Sequence, residues 1–297
     1  MNKSELPLIG IGPGSLPIKT YKGKRSGIGW FVFRVLNKLY YFPSAKRRYV
    51  SAVSNALKVG YRLIDYSSAY GCDAYLGRGI EKSGVDRTDL FITTRVSNRA
   101  QREHRVREEF MEFLHNAHLD YVDLLQFHWP VTDLYLDTWR EMEKLKDEGL
   151  VKHLGVANCH QHHLEEIFKI CKHRPEIGQF EIHPLFTQKP LIQYYKDNGI
   201  VVESYTAVAR YDGRLFNLPV LKEMARKHNK SLVQIVLRWH VQHELIPVVR
   251  SLSYRHQQEN LNIFDFELST EEMAVIDGLN INSRLRYDPD NCDFSIL

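Results

Sequence analysis

Cysteine is scarce. The 297 residues carry four, Cys72, Cys159, Cys171 and Cys292, and no two stand at CxxC spacing. That excludes a disulfide framework and a thiolate zinc motif, and free thiols point to a reducing, cytoplasmic setting. Long apolar runs are missing too. No stretch reaches the roughly eighteen residues that a bilayer-spanning helix needs, and the opening MNKSELPLIGIG is too poor in apolar residues for an export signal. There is no Rossmann glycine fingerprint, no Walker-type phosphate loop, no HExxH and no nucleophile elbow. A formal charge of +4 is too mild to argue for nucleic acid. The most local absence is of acid. None lies between Glu5 and Asp65, while Lys19, Lys22, Lys24, Arg25, Arg34, Lys38, Lys46, Arg47 and Arg48 crowd the same stretch.

What is present is an alternation of short runs rich in Ile, Leu, Val and Phe with segments of helical period. Strands are expected at 8–12, 62–65, 90–95, 122–128, 153–157, 178–182, 200–205 and 245–250. Helices are expected at 52–58, 74–82, 104–118, 136–147, 164–171, 191–198, 220–227, 232–241, 253–261 and 270–279. Gly60, Gly149 and Gly199 follow helices where a left-handed residue is wanted, and Asp137 can cap the helix carrying Trp139. Eight strands each followed by a helix, an extra helix before the last strand and no Pro- or Gly-rich linker describe an α/β fold. It is a single (β/α)8 TIM barrel over 1–297, ending in a C-terminal helix and an irregular tail.

Asp65 and Tyr70 follow the second strand, Arg95 ends the third and His128 the fourth. Strand ends of a parallel barrel point to one face, so a carboxylate, a phenol, a cation and an imidazole converge there as a proton-delivery site. A phenol with a pKa near ~10 exchanges its proton poorly around neutrality, and a nearby cation is expected to lower it.

The segments GYRLIDYSSAYG, LFITTRV, VDLLQFHWP, GVANC, GQFEIHP, ESYTAVA and RSLSYRHQQENL, taken in order, resemble the aldo-keto reductases, nicotinamide-dependent carbonyl reductases on a TIM barrel. The resemblance implies Tyr70 as general acid, Asp65 as the carboxylate that holds the cation, and His128 as a hydrogen-bond donor to the substrate carbonyl. Arg95 stands where the family places a Lys. A guanidinium keeps its charge at any accessible pH but cannot join a proton relay. By the same resemblance Asn158 and Gln179 hold the nicotinamide carboxamide, Tyr205 stacks on the ring, and Thr206 and Arg210 meet the pyrophosphate. Arg250, Ser251, His256, Glu259 and Asn260 fall in the segment that reads the adenosine end. Arg250 can clamp a 2′-phosphate, which favours NADPH over NADH. Trp129 is the candidate substrate contact. Ala157 replaces the usual Ser, and Pro13-Gly14 replaces a Thr-aromatic pair that walls the substrate pocket.

Two functions follow: an NADPH-dependent reductase of an aldehyde or ketone, or a nicotinamide-nucleotide-binding or partner-docking protein whose catalysis Arg95 impairs. No metal is expected. The cluster Cys159-His160-Gln161-His162-His163 has no second ligand group at zinc-type spacing. Residues of about 16–47 exceed what the resembling family needs between strand one and helix one. If 28–42 is helical, Arg34, Asn37 and Lys38 share a stripe and apolar residues cover the rest. Three readings stand: a lid helix packed on the barrel rim, an interfacial membrane helix, or a docking surface for a large anionic substrate or a protein.

Overall fold

The computed structural model describes residues 6–17 and 27–294. Eight parallel strands close a barrel in chain order: β1 (Gly10–Ile11), β2 (Leu63–Asp65), β3 (Phe91–Val96), β4 (Val122–Phe127), β5 (Val151–Ala157), β6 (Ile177–Glu181), β7 (Val201–Tyr205) and β8 (Ile246–Val249). Gly10 opposite Val248 and Ile11 opposite Val249 join the first strand to the last. The helices are α1 (Gly27–Leu36), α2 (Phe42–Val59), α3 (Asp73–Ser83), α4 (Asn98–Arg102), α5 (Val106–Ala117), α6 (Tyr135–Asp147), α7 (Gln161–Ile170), α8 (Lys189–Asp197), α9 (Gly213–Phe216), α10 (Pro219–His228), α11 (Leu232–Gln242), α12 (Tyr254–Leu261) and α13 (Thr270–Asp277). The expected TIM barrel is there, with α10 and α11 both preceding the last strand.

The barrel interior explains where polarity enters. Leu63, Leu124, Ile177 and Ile246, one from each even strand, pack into a single apolar layer with Leu6 beneath them. Two residues further along those strands are Asp65, Gln126, Gln179 and Val248. Alternate residues face inward, so the barrel changes from oily to polar within one layer toward its C-terminal face.

Three expectations need correction. The barrel helix after β1 starts at Phe42, not near residue 52, and is continuous with α1 through a π turn over Asn37–Tyr41. Pro43 has no N–H to return to the preceding turn, and a wider turn accommodates the missing bond. Second, α5 is shorter than 104–118, because His104 (φ 53°) and His118 (φ 54°) are left-handed at its ends. Third, Asp137 is not a cap. It lies inside the first turn of α6 and pairs with Arg140 at 2.5 Å. No described residue from 28 to 44 is fully buried, so this helix is at most half-buried, through Trp30, Phe33, Asn37 and residues 41–44. Lys19, Lys22, Lys24 and Arg25 lie outside the described residues. Gly60, Gly149 and Gly199 do take left-handed φ values after their helices.

Helix α3 approaches α5 through Gly77, where an added Cβ would sit 2.2 Å from the Ala117 carbonyl oxygen. Alanine gains up to about 1 kcal/mol of helix propensity there, but a clash with backbone cannot be relieved by a rotamer change and costs about 1–3 kcal/mol. We expect Gly77→Ala to lower unfolding free energy by about 1–2 kcal/mol in a urea titration.

Candidate active site

Tyr70 is placed by a short scaffold beyond β2. The chain turns through one 3-10 turn, Ser68–Tyr70, and leaves it at Gly71 in a left-handed conformation. The buried Tyr66 hydroxyl ties this turn to α3: it donates to Asp73 at 2.7 Å and accepts from the Cys72 amide at 2.7 Å. The Tyr70 ring then stands edge-on to Tyr66 (5.6 Å) and to His128 (6.5 Å). His128 follows β4, with its amide held by the Val96 carbonyl at 3.0 Å.

Arg95, on β3, is almost wholly buried. Its Nη2 donates to Asp65 and, at 2.7 Å, to the Gln179 side-chain carbonyl; its Nη1 reaches the Tyr66 carbonyl at 3.1 Å. Gln179 Nε2 in turn donates to Asp65 (3.0 Å) and to Glu203 (2.8 Å). Asp65 therefore pairs with the guanidinium directly, and Glu203 is linked to it through the Gln179 amide. Burial, and then the Asp65 charge, raises the Glu203 pKa to about 7. Burial, and then Arg95 and Arg286, lowers that of His128 to about 3, so its imidazole is neutral. Tyr70 departs from expectation. Burial raises its pKa, and Arg95, Arg250 and Arg286 only oppose that rise.

One cavity of about 490 Å³ opens on this group. Among its lining residues are Asp65, Tyr70, Arg95, His128, Trp129, Asn158, Gln179, Tyr205, Thr206, Arg210, Arg250 and Asn260. Ser251, His256 and Glu259 are not among them. Ser251 Oγ turns to the Ser253 backbone, and His256 is exposed on α12. Gln179 lines the cavity, but both its amide hydrogens are spent on carboxylates, so the expected carboxamide contact has no free donor. Asn158, left-handed at φ 60°, donates to the His128 carbonyl and accepts from the Tyr205 hydroxyl at 2.7 Å. Thr206 and the run Ala209–Tyr211 are also left-handed, which aims the loop after β7 into the cavity.

Sequence reasoning missed two contributors, Glu203 and Arg286, and the role of Gly14 beside Arg250. Glu203 was visible as an acid inside an apolar strand. Gly14, at φ 64°, lets the Arg250 guanidinium lie where a side chain would stand: an added Cβ would be 2.9 Å from its Nε. Arg286, from the tail, also lines the cavity. Glu181 accepts from the Leu285 and Arg286 amides at 2.8 and 3.0 Å. Asp290 meets His160 Nδ1 at 2.7 Å and approaches His162 and His163. The histidine cluster thus does gain acidic neighbours, Asp288 and Asp290, from far along the chain. His163 Nδ1 accepts the His160 amide, leaving its Nε2 to carry the proton toward Asp290, so the cluster works as a tail clamp. The same tail lays Tyr287 and Phe294 against Trp129 at 6.4 Å.

Comparison with known proteins shows the family. The model for the Aldo/keto reductase family matches residues 40–281. Glyoxal reductase of Bacillus subtilis (strain 168) is 42% identical over 243 residues, 82% of this chain and 87% of that protein. Methylglyoxal reductase DkgA of Escherichia coli (strain K12) is 35% identical over 251 residues, 84% of this chain and 90% of that one. The crystal structure of MGS-M4, an aldo-keto reductase from a Medee basin deep-sea metagenome library, superposes with a TM-score of 0.84 at 30% identity, covering 97% of this chain and 96% of its own. The chain belongs to the aldo/keto reductase family of oxidoreductases.

Proposed function

We propose that this chain, as one barrel domain, reduces an aldehyde or ketone to an alcohol, with NADPH in preference to NADH. The observation that carries the reading is the convergence of Tyr70, His128 and the Arg95–Asp65 pair on one cavity. Bound reduced nicotinamide supplies the hydride. Tyr70 gives its phenolic proton to the carbonyl oxygen, and burial keeps that proton in place through the neutral range. The three guanidinia stabilise the tyrosinate left behind. The neutral His128 donates an N–H to the same oxygen and fixes its position. Trp129 supplies an apolar wall.

The donor set fits a polyanionic dinucleotide. Among the described residues, Arg95, Arg210, Arg250 and Arg286 line the cavity against a single carboxylate, Asp65. In this reading Thr206 and Arg210 hold the pyrophosphate, Asn158 the carboxamide, Tyr205 the ring, and Arg250 with Ser251, His256, Glu259 and Asn260 the adenosine end. The glyoxal and methylglyoxal reductases among the relatives make small aldehydes the first substrates to try. A second reading, a nucleotide-binding or partner-docking protein with impaired turnover, is favoured by two observations: Arg95 directs three of its N–H groups to Asp65, Gln179 and Tyr66, and burial sets the direction of the Tyr70 shift.

Stopped-flow oxidation of bound NADPH by methylglyoxal separates the two. We expect turnover, and a loss of about 100-fold or more in kcat for Tyr70→Phe with NADPH affinity within about twofold. Tight binding without turnover would favour the second reading, and an active Tyr70→Phe would remove Tyr70 as the donor. Fluorescence titration should show Arg250→Met weakening NADPH by about tenfold or more and NADH by much less; equal losses would count against 2′-phosphate recognition.

Glu203 gives a pH signature. Its folded pKa lies above the ordinary value of about 4.5, so between roughly pH 4.5 and 7 the folded chain keeps a proton that the unfolded chain releases. Its contribution to stability therefore falls as pH rises through that window, by about 3 kcal/mol. Glu203→Gln should gain on the parent by that order at pH 8 and show little gain at pH 4, measured by urea unfolding. A gain independent of pH would contradict the assignment.

A further inference from the structure

The helix between β1 and β2 ends at the N-terminal side of the barrel, so its start lies on the catalytic face. Its first buried residue is Ala45. From Gly27 to that point, roughly 25 Å of helix extends past the packed wall. Seven of the fifteen large apolar side chains exposed among the described residues fall between Ile28 and Tyr40, which makes this the main apolar surface of the molecule. Ile28, Phe31, Val32, Val35 and Leu39 follow helical spacing and form one stripe; Ile28 is 84% exposed, Phe31 66% and Leu39 72%. Trp30, Phe33 and Tyr41 take the other side, half-buried, with Phe33 between the two other rings at 5.9 and 6.2 Å. Arg34 and Lys38 are exposed along the border of the stripe, and Arg47 and Arg48 are exposed below it.

We propose that this stripe docks on an anionic lipid bilayer, lying in the headgroup region with the cavity mouth facing the membrane surface. Charge decides between occupants. Between Glu5 and Asp65 the chain holds no acid, so the helix that carries the apolar stripe contributes cations and no carboxylate to its border. Such a face repels a second copy of itself and is attracted to phosphate headgroups. No helix among the described residues is long and apolar enough to cross a membrane, so the contact is peripheral. The inference stands independently of the proposed reaction.

The test is sedimentation of the full chain with vesicles of phosphatidylcholine containing about one-third phosphatidylglycerol, against pure phosphatidylcholine. We expect partition into the anionic vesicles at least about tenfold stronger, and weakened by about tenfold or more at high salt. The double variant Phe31→Glu/Leu39→Glu, and separately Arg34→Glu/Lys38→Glu, should each lose about tenfold or more while melting and NADPH titration stay unchanged. No sedimentation at low salt, equal sedimentation with neutral vesicles, or unaltered binding by either variant would overturn the proposal. So would a dimer in solution that the first variant dissociates while vesicles leave the parent in the supernatant; that result would assign the stripe to a second copy.

Discussion

A buried guanidinium with more acid around it than it can neutralise governs the barrel's C-terminal end. Burial opposes the charge on Arg95, but Asp65, Tyr70 and Glu203 raise its pKa above the ordinary value. Its planar fork reaches a carboxylate, a side-chain amide and a backbone carbonyl together. An ammonium at that position would present one compact charge on a shorter reach, without the planar fork that spans these three acceptors. Removing either member of a buried ion pair typically costs about 3–5 kcal/mol. The substitution is therefore tied to Gln179 and Glu203, which complete the network, and it is not a local exchange of one cation for another.

The rest of the cavity is built by segments that meet it from outside the barrel. Arg250 occupies the volume released by Gly14, Arg286 is carried in by a tail whose amides sit on Glu181, and the left-handed run after β7 brings in Arg210. Each cation arrives on a different element, and each depends on a short-range device: a missing side chain, a carboxylate aimed at two amides, or a strained turn. Three of the four cations that line the site thus come from outside the strands, while the buried network of Arg95, Asp65, Gln179 and Glu203 belongs to the strands.

This division explains what could be read from sequence. The eight strands and most helices were legible because a buried parallel strand and an amphipathic helix leave periodic marks. Asp65, Tyr70, Arg95 and His128 were legible as polar residues at apolar strand ends. The start of α2 was not, because residues 42–51 carry Pro43 and the basic run Lys46-Arg47-Arg48, which read as a loop. The Asp290 clamp on the histidine cluster was invisible because the partners are 130 residues apart and acidic tails are ordinary. The commitment of Gln179 was hidden for a related reason: a strand glutamine looks free until the acid beside it, Glu203, is seen to point inward.

Tyr70 shows how these layers act together. In the free protein burial outweighs three guanidinia, and the phenol holds its proton more firmly than a tyrosine in water. A polyanion in the cavity would engage Arg250 and Arg286 and reduce their pull on the phenol. Arg95 would then be the remaining nearby cation, and its charge persists whatever fills the site. A residue that lost its proton when buried beside other cations would offer no such guarantee. The permanent guanidinium therefore suits a site whose other positive charges are shared with a ligand, and it also draws Glu203 toward its charged form against the larger effects of burial and Asp65.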